Sequence, residues 1–139
     1  MTIDHLYETF ELIDDWEERY RIIIDLGKSL PSFPDEARTE QNRVPGCISQ
    51  VWMIAQSDPE HPEAYQILAD SDAHIVKGLI AILLMLYSGK TAEEIAEVDV
   101  QEVFQNLDLE NHLSPNRRNG FYSMVERIRQ LAQAPAQSS

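Results

Sequence analysis

One side chain in this 139-residue sequence brings nucleophilic chemistry with it: Cys47, its only cysteine. A thiolate attacks sulfur or carbon electrophiles directly, whereas a serine hydroxyl needs a base beside it. Cys47 follows Pro45-Gly46 and precedes the strand-like run that begins at Ile48. That places it at a loop tip, where a side chain can be presented to a partner, and Gly46 opens backbone conformations closed to other residues. A lone cysteine is more commonly a small buried hydrophobe, so spacing by itself leaves a reactive thiol and a packed one both open. No intrachain disulfide and no cysteine-rich metal site is possible. The four histidines are scattered. A Cys47–His74 or Cys47–His112 hydrolase would need an imidazole within hydrogen-bond reach and an oxyanion hole, and nothing in the pattern marks either.

The elements that must position Cys47 follow from periodicity. Leu6, Phe10, Ile13, Trp16, Tyr20, Ile23 and Ile24 recur at helical spacing, with Asp4 as a start signal and Gly27 as a stop. Asp15 with Glu18 resembles a second capping box, so the stretch reads as two short helices or one broken near Asp14-Asp15. Leu30-Pro31-Ser32-Phe33-Pro34 is extended, because each proline biases its predecessor away from helix. Ile48 to Ala55 and Ala64 to Ala69 read as strands joined through the turn residues Ser57 to Pro62, an antiparallel hairpin. Two strands are marginal in water, so a third, from the segment before Cys47, or a helical cover is required. Trp52 reads as core.

Asp72 caps a helix from Ala73 to Tyr87 that is apolar on nearly every face and belongs in the middle of the core. Loss of that cap would cost roughly 1 kcal/mol. Thr91 with Glu94 is a capping box, Asp99 with Glu102 resembles another, and Ser114-Pro115 opens a last helix that Pro135 ends. The class is α+β: a small antiparallel sheet covered by several helices. Residues 1–134 form a single domain and 135–139 a flexible C-terminal tail.

Charge narrows the partners. Twenty-four acidic against eleven basic residues leave a net charge of -13, which repels phosphate backbones and anionic lipid and keeps the protein soluble. Nucleic acid and membrane are not expected partners. The apolar stretch from Gly78 to Tyr87 is short of the roughly 20 residues that span a bilayer, and the N-terminus carries no basic, apolar leader pattern. With its lone thiol, the chain is expected to be cytoplasmic.

Four ordered blocks carry a resemblance. They are Trp16-Glu17-Glu18-Arg19-Tyr20 with Leu26-Gly27-Lys28-Ser29-Leu30-Pro31; Gly46-Cys47-Ile48-Ser49-Gln50-Val51-Trp52; Asp70-Ser71-Asp72-Ala73-His74-Ile75-Val76-Lys77-Gly78-Leu79; and His112-Leu113-Ser114-Pro115-Asn116-Arg117-Arg118-Asn119-Gly120. In this order, and over nearly the whole chain, the sequence resembles the SufE family, with details nearer to SufE itself than to its paralogue CsdE. Ile48 departs mildly, since a polar residue is common after the cysteine.

The resemblance implies a SufE/IscU-like fold and a partner reaction. Cys47 would accept the outer persulfide sulfur of a SufS-type, pyridoxal-phosphate-dependent cysteine desulfurase, stimulate that enzyme, and pass sulfur to an iron–sulfur scaffold complex. The chain itself would be a transfer partner rather than an enzyme, would hold no cofactor, and would act as a monomer or homodimer. A scaffold role for the chain would need several thiolates. An adaptor that activates the desulfurase without carrying sulfur is the alternative reading. The resemblance also implies a thiol tucked against apolar side chains until the partner docks, with Gly46 letting the loop swing out. Arg117 matches the family's arginine and would support the reactive sulfur or contact the desulfurase; near a helix start its charge is otherwise mildly unfavourable. Among residues at the loop or in partner contact, Asp72 reads more readily as a cap and Lys77 as a side chain snorkelling from a buried helix.

Overall fold

A computed structural model of the chain describes residues 2–47 and 49–133. The residues expected to form the tail, and Ile48 at the expected strand start, lie outside that range. Two helices open the chain, α1 (Ile3–Leu12) and α2 (Trp16–Gly27). Thr2, not Asp4, caps α1: its side chain accepts from the His5 N–H at 3.2 Å. Asp15 caps α2 by accepting from the Glu17 N–H. The break between the helices is held by Arg19, whose guanidinium donates to the carbonyls of Ile13 and Phe10 and lies over the Phe10 and Trp16 rings.

The hairpin is formed by β1 (Val51–Ser57) and β2 (Ala64–Ser71), antiparallel with Val51 opposite Ser71 and Ser57 opposite Tyr65. Strand β1 starts at Val51, with Ser49 and Gln50 in the loop before it, and both strands run two residues beyond their expected ends at Ala55 and Ala69. Alternation sends Val51, Met53, Tyr65, Ile67 and Ala69 into the core. Trp52, Ile54, Leu68 and Asp70 face the other way, so Trp52 is not a core residue. Its ring lies half-buried on the outer face beneath the Arg38 guanidinium, 5.4 Å from the ring centre. The third strand is β3 (Lys90–Thr91), which pairs with β2 on the far side from the expected segment. The stretch before Cys47 contributes a single bridge, Arg43 opposite Trp52.

Helix α3 (His74–Tyr87) runs through the centre, burying Val76, Leu79, Ile80, Ile82, Leu83, Leu86 and Tyr87. It packs on α2, β2, α1 and the C-terminal helix. The α2–α3 contact is backbone on backbone: a Cβ on Gly27 would lie 2.7 Å from the Gly78 nitrogen, so close an approach that only glycine fits. Helices α4 (Ala92–Glu97), α5 (Val100–Asn106) and α6 (Pro115–Gln133) complete the cover. Thr91 and Glu94 form the full capping box, Asp99 accepts from the Glu102 N–H, and Ser114 accepts from the Arg117 N–H. Among the described residues the result is an α+β fold, a three-stranded antiparallel sheet with six α-helices. Among the described residues, no helix is long and apolar enough to cross a membrane.

Candidate functional site

The loop that carries Cys47 is anchored on both sides. Before it, the Arg43–Trp52 bridge and the Val44 N–H to Val51 carbonyl bond of 2.8 Å strap the chain to β1. After it, the Gln50 N–H donates to the Asp72 carboxylate at 3.1 Å, and the Asp72 N–H donates back to the Gln50 carbonyl. Asp72 therefore does not cap α3. Its carboxylate is engaged by the Cys47 loop, while Ser71 Oγ accepts from the Ala73 N–H and Ala73, the N-cap, makes no side-chain cap. Between the anchors the chain turns at Gly46, whose φ of +87° lies in the left-handed region. A Cβ there would also meet Ser123 Oγ at 2.5 Å. The backbone conformation favours glycine, and any larger residue would also have to displace the Ser123 hydroxyl.

This geometry lays the Cys47 side chain against α6, half-buried, with Sγ 3.6 Å from the Gly120 carbonyl oxygen. Beneath it is a cavity of about 230 Å³, lined by the buried Val51, Val76, Leu79, Phe121 and Met124. Burial pushes the thiol's pKa up, because an apolar seat disfavours the thiolate; the Arg43 guanidinium pulls the other way. The resting thiol is thus held mostly neutral.

The structure brings some of the sequence-derived site residues together and separates others. Cys47 and Arg117 both line the cavity, where Arg117 is exposed and has no ion-pair partner among the described residues, while Gly46 lines the neighbouring groove on the other side of the loop. Asp72 reaches the loop through Gln50. Lys77 lies elsewhere: its ammonium pairs with Asp70 at 3.5 Å, in a separate cavity that Arg38, Phe33 and His74 also line. His112 lines neither hollow at the thiol; it stacks on Trp16 at 3.8 Å between centroids, and its carbonyl accepts from the Tyr20 hydroxyl. Two residues at the thiol carried no sequence-level expectation. Arg43 stands four positions before Cys47, a spacing with no meaning in a loop, and Gly120 is merely the final residue of the block that begins at His112.

The family model described as "SufE: Fe-S metabolism associated domain" matches residues 4–132. The chain belongs to the SufE family. Its similarity to SufE-like proteins is broad: it is 49% identical over 137 residues to an uncharacterized SufE-like protein of Rhizobium etli, covering 97% of this chain and 92% of that protein. It is 45% identical over 134 residues to an uncharacterized SufE-like protein of Rhizobium meliloti, with 95% of each covered. The SufE-type fold is also similar to the solution structure of a hypothetical protein from Thermus thermophilus, at a TM-score of 0.74 and 19% identity over 96% of both chains. Membership of the SufE family assigns the chain a role in iron–sulfur metabolism.

Proposed function

We propose that Cys47 is the sulfur-accepting residue of this SufE-family chain, working with a SufS-type cysteine desulfurase in the cytoplasm and delivering sulfur to an iron–sulfur scaffold complex. The observation that carries this reading is the seat of the thiol. Cys47 rides a loop that turns at Gly46, half-buried over a largely apolar cavity large enough for an added sulfur atom. Such a seat protects thiol and persulfide from oxidation between encounters, and the loop supplies a way out.

The step is thiol–disulfide-type exchange. The Cys47 thiolate attacks the outer sulfur of the desulfurase persulfide, a new S–S bond forms on Cys47, the donor S–S bond breaks, and the donor thiolate leaves. The outer sulfur keeps its proton, charge is conserved, and no oxidant or reductant enters. Both nucleophile and leaving group are thiolates, so no acid–base triad is required. Arg117, exposed and lining the same cavity, would meet the incoming enzyme or the anionic sulfur.

The test is mass spectrometry of the Cys47 peptide after incubation with cysteine and a SufS-type desulfurase. Whole sulfur atoms gained on that peptide and lost to reductant support the reading. If the Cys47→Ser chain stimulates the desulfurase as well as the parent does, the chain is an adaptor and the thiol is incidental.

A further inference from the structure

Cys47 lies between two hollows of opposite character. On one side is the apolar cavity. On the other is an open groove of about 470 Å³, lined by Glu40, Arg43, Arg127 and the loop itself. The chain as a whole is strongly acidic, at -13, yet the charged side chains lining these two hollows are Arg43, Arg127 and Arg117 against one carboxylate, Glu40. From α3 the cavity receives Val76 and Leu79, which carry no charge, and Asp72 at the start of α3 is engaged by the Gln50 N–H.

Resting on the sulfur-transfer reading above, we infer that Arg43 is the positive charge that receives the Cys47 sulfur in its anionic forms, thiolate before transfer and, after the outer sulfur gives its proton to water, persulfide anion, once the loop leaves the apolar cavity. Arg43 is a positioning residue: it acts on the sulfur's charge and forms no bond to the transferred atom.

Three observations carry this. First, Arg43 is held apart from the thiol's loop. Its backbone makes an isolated bridge to Trp52 and the next residue bonds Val51, so it is strapped to the edge of β1, whereas Cys47 lies beyond the Pro45-Gly46 turn. Second, its guanidinium is lightly committed. Its ion pair is with Glu40 at 3.5 Å, and the Glu40 side chain is 89% exposed; such a pair contributes little and yields readily. Arg127, by contrast, donates to the Gln41 carbonyl at 2.6 Å, and Arg117 sits on the apolar side. Third, Arg43 is the charge that opposes burial at the thiol even in the seated position. A sulfur moving from cavity to groove leaves the surroundings that disfavour an anion and keeps the neighbour that favours one.

The experiment needs no partner. The rate of Cys47 alkylation by iodoacetamide is measured against pH for the parent chain, Arg43→Gln, Arg43→Lys and Glu40→Gln. Arg43→Gln is expected to move the pH midpoint in the alkaline direction by up to about one unit, lowering the rate near neutrality roughly three- to tenfold. Arg43→Lys restores most of the parent profile, which a purely structural role for the arginine would not do. Glu40→Gln, at an exposed position that tolerates substitution, moves the midpoint in the acid direction, and it decides the matter if Arg43→Gln does not fold. Unmoved midpoints in the glutamine variants overturn the inference while leaving sulfur loading on Cys47 intact. Shifted midpoints on a chain whose Cys47 never gains sulfur keep Arg43 as the thiolate's partner and overturn the transfer reading.

Discussion

The Cys47 Sγ lies 3.6 Å from the Gly120 carbonyl oxygen on α6, and a Cβ added at Gly120 would lie 3.5 Å from Sγ, an ordinary contact distance. Gly120 sits inside a 19-residue helix, where glycine is about 0.5–1 kcal/mol worse than alanine. Gly120→Ala should therefore fold and melt at a higher temperature, with Cys47 alkylation within about twofold of the parent. Gly120→Leu puts its extra carbons where the thiol rests. Overpacking of about 1–3 kcal/mol disfavours the seated loop, so alkylation should accelerate about tenfold or more, each tenfold corresponding to about 1.4 kcal/mol. Equal alkylation rates for the leucine and alanine variants would show that the thiol does not depend on this seat.

The same seat makes stability pH-dependent at the alkaline end. Burial first, against the pull of Arg43, leaves the folded thiol's pKa above its ordinary value. In the window above the unfolded pKa, the native state therefore binds more protons than the unfolded state, and stability falls as pH rises. The contribution is fully present below the ordinary thiol pKa and is lost as pH rises through the folded one. Urea unfolding of the parent and of Cys47→Ser should show the parent losing stability relative to the variant across that window. Parallel curves would mean that the thiol titrates alike folded and unfolded.

Sequence periodicity revealed the parts of the fold that are local. Helix α3, apolar on nearly all faces, and the hairpin around Asp58 to Pro62 depend on patterns a few residues long, and both are present. What stayed illegible depends on partners distant in sequence. Asp72 has the type and position of a cap, yet its carboxylate bonds Gln50, 22 positions away. Trp52 has the composition of core, but the alternation of β1 turns it outward to Arg38. Lys77 faces Asp70 because β2 and α3 are brought together, not because of its neighbours in the chain. Cys47 could be placed on a loop from Pro45-Gly46, but the cavity under it is assembled from β1, α3 and α6. Arg43 is read only once the strap onto β1 is seen.

Arg38 and Asp70 supply a prediction at acid pH. Burial pushes the Asp70 carboxyl up, but the Arg38 hydrogen bond, with help from the Ser71 backbone and Lys77, outweighs it and holds the group below the ordinary carboxylate range. A depressed pKa stabilises the fold above the unfolded value, and that stability is lost as pH falls through the folded value. Arg38→Ala should cost about 1.5–3 kcal/mol at neutral pH, the scale of a hydrogen bond to a charged group. It also uncovers the Phe33 and Trp52 rings that the guanidinium lies over. Chemical unfolding at neutral and acid pH should show the penalty shrinking as Asp70 protonates. A penalty independent of pH would assign Arg38 to ring packing alone.

Alanine at Gly78 should act in the opposite sense to alanine at Gly120, although both positions are helical. A Cβ on Gly78 would overlap the Ile23 carbonyl oxygen, and the Ile23 Cγ2 would be 2.5 Å away. Helix propensity favours alanine by about 1 kcal/mol, but parting two backbones in contact costs about 1–3 kcal/mol or more, so the net effect of Gly78→Ala is destabilising. The strain has a direction. With α2 on one side, α3 can yield only toward its other face, where Val76 and Leu79 line the cavity under Cys47. Gly78→Ala should therefore lower the denaturation midpoint and also alter the Cys47 alkylation rate, a coupling between sites that share no contact. A lower midpoint with an unchanged alkylation rate would mean that α2, not α3, moves to relieve the overlap.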